Sequence, residues 1–286
     1  SPTSGTSPAR SPSAIGPSTT AAVTSGTVSC ASVATIAAAK GTAAALTGSP
    51  ALLAETLHQW DVVSAAVSPR PGRQLLLGPW DHGFVWTPTT RIGGRDHGPD
   101  SRVPLGARQV EWLREVLGGA RNARAEVFVV GAGWNTSPAW PPSTVPTVLW
   151  ATGDGTLRGT APDTDGARTY VYDPKDPFPS SEPGADRASL DGRTDVVRWR
   201  GAVLEKSITL AGTPSVVLSA STDVASTDFV VRICERTADG RVLPLASGAV
   251  RDPGPAHRVP LTPLAVRIGA RRAVAVGFGL AAVALA

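Results

Sequence analysis

Hydrophobic positions are sparse and unpatterned over the first 50 residues, which are mostly Ser, Thr, Ala, Gly and Pro, with only Arg10 and Lys40 charged and no acid before Glu55. Such a stretch has few large side chains to offset the entropy of ordering it, so residues 1–50 are expected to be low-complexity and disordered or poorly packed. Periodicity begins at Ala51. In ALLAETLHQWDVVSAAV, Leu53, Leu57 and Trp60 recur at helical spacing, and Pro69 and Pro71 close the segment, which predicts an amphipathic helix. In RQLLLGPWDHG, Leu75, Leu76 and Leu77 form a short continuous apolar run ending at Gly78 and Pro79, as a buried parallel strand does before its loop. A second helix is predicted over LGARQVEWLREVLGG, with Val110, Leu113 and Leu117 on one face and Gly118 and Gly119 to end it.

From Ala125 the period changes. Eight short β runs follow, AEVFVVG, TVLWATGDG, ARTYVYDP, DVVRWRG, KSITLAG, PSVVLSAS, TDFVVRICE and RVLPLASGAVR, separated by Gly, Pro and Asp signals and with no helical stretch between them. This is the pattern of an antiparallel β-sandwich, and an eight-strand jelly roll is the simplest arrangement that manages its edges. Alternation should turn Phe229, Val231 and Ile233 to one face. The chain therefore divides into 1–50, an α/β stretch 51–119 and a sandwich 120–286. The apolar tail from Ala273 to Ala286 is shorter than the ~18 residues of a spanning helix and reads as a truncated final strand.

Composition narrows the function classes. With 42% apolar and 17% charged residues the chain is globular, and its net charge of +4 is mild. Its arginines are scattered among acids without interleaved aromatics, so neither a nucleic-acid groove nor a membrane-binding stripe is expected. Cys30 and Cys234 are too far apart for a disulfide framework or metal knuckle, which favours a reducing, cytoplasmic setting. The absence of methionine and the start at Ser1 suggest a fragment, a processed form or a mispredicted frame.

Four segments carry a resemblance. STDFVVRICERTADGRVLPLASGAVR from Ser226 resembles the C-terminal β-domain of the X-Pro dipeptidyl-peptidase, cocaine esterase and α-amino-acid ester hydrolase family. YVYDPKDPFPS from Tyr170 is similar to the family's Tyr-Asp-Pro-x-Asp-Pro segment, and DVVRWRGAVLEKSITLAGTPSVVLSAS from Asp195 to the strands that follow it. GPWDH, Gly78 to His82, resembles the loop that holds the family's catalytic histidine. The resemblance spans about Glu55 to Arg251. It implies a mainly β chain, a C-terminal jelly-roll sandwich preceded by the truncated end of an α/β-hydrolase domain. The implied reaction is acyl transfer from a small ester or X-Pro peptide to serine and then to water, without cofactor or metal.

A serine nucleophile needs a base in hydrogen-bond reach and a carboxylate to orient that base. His82 is the candidate general base. By spacing from Glu55 the family's acid falls near Pro50, which cannot orient an imidazole; Asp61 and Asp81 are the nearest acids and neither is a convincing substitute. No G-x-S-x-G elbow occurs. GTSPA at Gly5 and GPSTT at Gly16 lack the last glycine and a preceding apolar strand. The chain thus reads as a hydrolase part that is inactive as given.

Other residues are weaker candidates. His97 could line a pocket, although a Gly-rich surface loop explains it more cheaply; His58 reads as a helix-face residue and His257 as a loop residue. The histidine spacing matches no zinc motif, and DTDG at Asp163 lacks the later ligands of a calcium loop. The competing reading is a non-catalytic jelly-roll module binding carbohydrate or protein through Trp134, Trp140, Trp150 and Trp199, residues that core packing would equally account for. Oligomeric state is not legible.

Overall fold

The computed structural model describes residues 19–30, 42–46, 50–65, 72–80, 89–92, 95–120, 122–164, 166–179, 185–224, 226–251, 257–261, 264–268 and 270–280. In chain order the N-terminal elements are β1 (Thr19–Cys30), β2 (Thr42–Leu46), α1 (Pro50–Ala65), β3 (Arg73–Gly78), β4 (Arg91–Ile92), β5 (Arg95–Asp96), α2 (Leu105–Leu117), β6 (Ala123–Val129) and β7 (Gly133–Ser137). β2, β3 and β6 are parallel neighbours and β7 returns antiparallel beside β6. Strand alternation gives this sheet two different faces. Leu75, Leu77, Ala125 and Val127 pack with Leu53, Leu57 and Trp60 of α1 and with Trp140. On the opposite face Leu76 and Trp80 meet Val103, Leu105 and Trp134.

That opposite face also buries charge. Glu126 accepts from Gln74 Nε2 at 2.8 Å, pairs with Arg108 of α2, and lies 2.7 Å from Arg124 Nε. An isolated carboxylate there would be expensive; three partners offset the cost. α2 forms where its pattern predicts, but on a different face. Trp112 is the buried residue, while Val110, Leu113 and Leu117 are 45%, 47% and 86% exposed. The ion pair from Arg108 and the indole of Trp112 fix its orientation, and the expected apolar face points to solvent.

The remaining strands are β8 (Thr147–Ala151), β9 (Thr156–Arg158), β10 (Ala167–Tyr172), β11 (Val196–Val203), β12 (Ile208–Gly212), β13 (Ser215–Thr222), β14 (Asp228–Arg236), β15 (Val242–Arg251), β16 (His257–Pro260), β17 (Leu264–Ile268) and β18 (Ala273–Leu280). A curled sheet runs β15-β14-β18-β11-β9-β8-β1-β13-β16, with β10 beside β1, and β12 pairs with β17. Strands from both halves fill one core, which contains Tyr170, Tyr172, Trp199, Val216, Phe229, Val231, Ile233, Val266 and Ile268. Phe229, Val231 and Ile233 share the core face as expected, all at 1% exposure or less. This is the mainly β, sandwich-type architecture that the strand pattern implied.

Two expectations are corrected. AEVFVVG is not the first sandwich strand: as β6 it extends the parallel sheet, so that sheet continues past residue 119. Within residues 1–50, Thr19–Cys30 and Thr42–Leu46 are strands, β1 lying between β8 and β13 and β2 beside β3. Backbone pairing with neighbouring strands satisfies N–H and C=O groups without requiring large side chains, which composition alone does not register. The apolar tail is a strand, as expected; β18 runs through Leu280 between β11 and β14. Among the described residues no helix is long and apolar enough to cross a membrane.

Two hairpins share one device. In Thr152–Thr156 and Thr237–Arg241 a threonine hydroxyl bonds the aspartate two residues on, its backbone N–H bonds the carbonyl four residues on, and Gly155 or Gly240 takes the left-handed conformation. The carboxyls of Asp154 and Asp239 are held well below the usual range, first of all by those hydroxyls.

Candidate active-site region

The buried strand β3 leads directly into Gly-Pro-Trp. A Cβ at Gly78 would stand 2.1 Å from the Trp80 ring, so only glycine lets the indole fold back over its own strand. Trp80 is fully buried and donates from Nε1 to Ser101 O at 2.7 Å, while Ser101 Oγ donates to Gly98 O at 2.7 Å. The segment is thus fixed at the carboxyl end of a parallel strand, where α/β sheets commonly place their ligands. His82, two residues on, lies outside the described residues, as does Asp81.

The chain is described again from Thr89. Thr89 Oγ1 accepts from Arg91 N, and His97 N donates to Thr90 O at 2.8 Å across the β4–β5 hairpin. Arg95 of that hairpin reaches into the sandwich. Its Nη2 lies 3.0 Å from Glu235, a fully buried carboxylate that Arg272 also pairs. His97 is half-buried rather than a free surface residue: its ring meets Phe128 edge-on at 6.2 Å, and Phe128 in turn meets Trp134, which packs on Trp80. Burial first, and then the Arg95 charge, hold the His97 imidazole below its ordinary pKa, with Asp96 opposing them. His97 is a candidate from residue type alone, whereas nothing in the strand pattern marks Glu235, whose partners Arg95 and Arg272 lie 140 and 37 residues away.

The other catalytic positions are not brought together. Pro50, where spacing puts the acid, is the first residue of α1, a position proline tolerates because its missing N–H has no helical partner there. Asp61 lies on α1 with His58, which is exposed as expected. His257 begins strand β16 opposite Leu218 and so is not a loop residue. Gly5 and Gly16 lie outside the described residues, as do the serines of their strings, while Thr19 and Thr20 of GPSTT open β1. No group of three or more metal-ligating side chains occurs among the described residues.

The tryptophans of the binding-module reading are dispersed. Trp140 belongs to the α1 core, Trp199 to the sandwich core with its Nε1 bonded to Thr152 O, and Trp134 bonds Asp100 O beside Trp80. The Tyr-Asp-Pro segment is structural in the same way. Tyr170 and Tyr172 are buried, Asp173 accepts from Lys175 N to form a turn, and Asp176 pairs with Arg193, which Asp195 also holds. Burial raises the Tyr170 phenol well above its ordinary pKa, and Asp195 adds to the effect.

Comparison with known proteins finds relatives of this chain. Cocaine esterase of Rhodococcus sp. (strain MB1 Bresler) is 29% identical over 217 residues, which are 65% of this chain and 37% of the esterase. An aminopeptidase from a marine sediment archaeon, Thaumarchaeota archaeon, superposes with a TM-score of 0.63 at 22% identity over 82% of this chain and 45% of that one. An α-amino acid ester hydrolase gives 0.62 at 20% identity, over 74% and 43%. The chain thus spans less than half the length of these relatives, and the two structural matches bear on the fold. The family model described as the X-Pro dipeptidyl-peptidase C-terminal non-catalytic domain matches residues 115–265, just over half of the chain. The chain belongs to that family.

Proposed function

We propose that this chain is the C-terminal part of a serine hydrolase acting on ester or X-Pro peptide bonds, and that His82 descends from the general base of that enzyme. The position of His82 carries the reading. It stands two residues beyond a tryptophan locked at the carboxyl end of a buried parallel strand, in a chain that is 29% identical to an esterase over 217 residues. In such a site the serine hydroxyl attacks the acyl carbon, the imidazole takes its proton, and the same imidazole returns it to the leaving alkoxide or amine; water then repeats the cycle on the acyl-enzyme. This chain supplies the base and the β-domain. Its sequence contains no G-x-S-x-G elbow to present a nucleophile, so the isolated chain does not turn over.

The test is steady-state and burst kinetics with a chromogenic acyl ester and a proline-linked anilide, using His82→Ala as the control. Equal rates for the two proteins and no stoichiometric fluorophosphonate labelling are expected. Turnover abolished by His82→Ala, or one labelled serine per chain, would show a working nucleophile. The parentage is tested separately, by translating the upstream nucleotide sequence in all three frames: a strand-elbow-helix segment supports it, and its absence from every frame overturns it.

A further inference from the structure

At the end of the parallel sheet opposite Trp80, where β3 and β6 begin and β7 ends, lies a cavity of about 510 Å³. Trp112, Glu115 and Val116 of α2 form one wall; Arg73, Arg124 and Thr136 form the other. β3 is six residues long, so at about 3.3 Å per residue the cavity is roughly 17 Å from the Gly-Pro-Trp segment and separate from the region described above. Its volume is in the range of small-ligand sites.

The charges on its walls are unevenly satisfied. Glu126, fixed by Gln74 and Arg108, faces the Nε side of Arg124 at 2.7 Å. Among the described residues the outer nitrogens of Arg124 meet Glu115 alone, Nη1 at 3.5 Å and Nη2 at 3.4 Å, and the Glu115 side chain is 41% exposed. Those distances are at the far limit of hydrogen bonding, so the guanidinium retains donor capacity toward a better-placed acceptor. Arg73 also lines the cavity, but its guanidinium packs over Trp60 at 5.6 Å on the α1 side of the sheet, so Arg124 is the cation presented to a ligand. Trp112 and Val116 supply an apolar surface beside these donors.

We propose that this cavity binds a small monocarboxylate with an apolar or aromatic body. The ligand carboxylate takes the outer nitrogens of Arg124 in a bidentate pair, displacing Glu115, and its body lies against Trp112 and Val116. A carboxylate is favoured because its two oxygens match the planar guanidinium fork. Glu115 acts as an internal competitor for the same donors.

Isothermal titration and amide chemical-shift mapping with phenylacetate test this. Saturable binding is expected, with shifts clustered at Arg124, Val116 and Thr136 and at least tenfold weaker binding of 2-phenylethanol, which keeps the body and lacks the charge. Glu115→Gln removes the competitor from an exposed position and is expected to strengthen phenylacetate binding several-fold. Val116→Trp fills the cavity and should abolish binding while leaving the unfolding midpoint within a few degrees. Three outcomes overturn the proposal: no saturable binding to either wild type or Glu115→Gln up to about 10 mM, equal affinity for the alcohol, or affinity unchanged in both variants.

Discussion

A single missing side chain at Gly78 decides how the chain leaves β3. The backbone there is buried, and the Trp80 ring occupies the space a Cβ would need, with three ring atoms 2.1 to 2.5 Å from its position. Gly78→Ala therefore has to displace the indole and its bond to Ser101. Overpacking of this kind costs about 1–3 kcal/mol, and loss of the buried hydrogen bond adds to it. We expect urea denaturation to show a loss of about 3 kcal/mol, and a change below about 0.5 kcal/mol would contradict the packing. The Gly-Pro-Trp motif was legible in the sequence as a post-strand loop. The reason for its glycine was not, because it lies in the rotamer of the residue two positions on.

At the scale of elements, α2 separates what periodicity determines from what it leaves open. Spacing of Val110, Leu113 and Leu117 predicts a helix, and a helix forms, yet these three residues are exposed while Trp112 is buried. Periodicity registers which residues share a face; the Arg108–Glu126 pair, whose members are 18 residues apart, selects the face that packs. Leu113→Gln is accordingly expected to change stability by less than about 0.5 kcal/mol, whereas Trp112→Ala should cost about 3–4 kcal/mol. Chemical denaturation of the two variants checks this, and the reverse ranking would return α2 to the orientation its sequence suggests. The β14 alternation was fully legible, since Phe229, Val231 and Ile233 pack into a sandwich that covers one face.

At the scale of the whole molecule, the parallel sheet and the sandwich are joined in three ways. Val130 donates to Ala265 O and accepts from Arg267 N, the α1 core reaches Ala211 and Ala265, and Arg95 and Arg272 share the buried Glu235. Such joints couple the two parts, so one cooperative transition is expected, with tryptophan fluorescence and far-UV circular dichroism coincident in urea. Glu235→Gln leaves two arginines without their shared counter-charge and should cost about 3 kcal/mol, with faster hydrogen exchange at the His97 amide. Separate transitions in the wild type would show that the joints do not couple the parts. Strand pattern announced a sandwich but missed β1 and misassigned β6, because a run such as AEVFVVG is equally suited to a parallel sheet and to a sandwich.

The location of β18 bears on synthesis. It lies between β11 and β14 although some 40 to 70 residues separate it from them in sequence. As the polypeptide emerges from the ribosome, β11 and β14 have to wait with open edges until residues 273–280 arrive. Nascent chains released before that point would present two unpaired apolar ladders to one another, and completion of the sandwich therefore has to follow translation of β18.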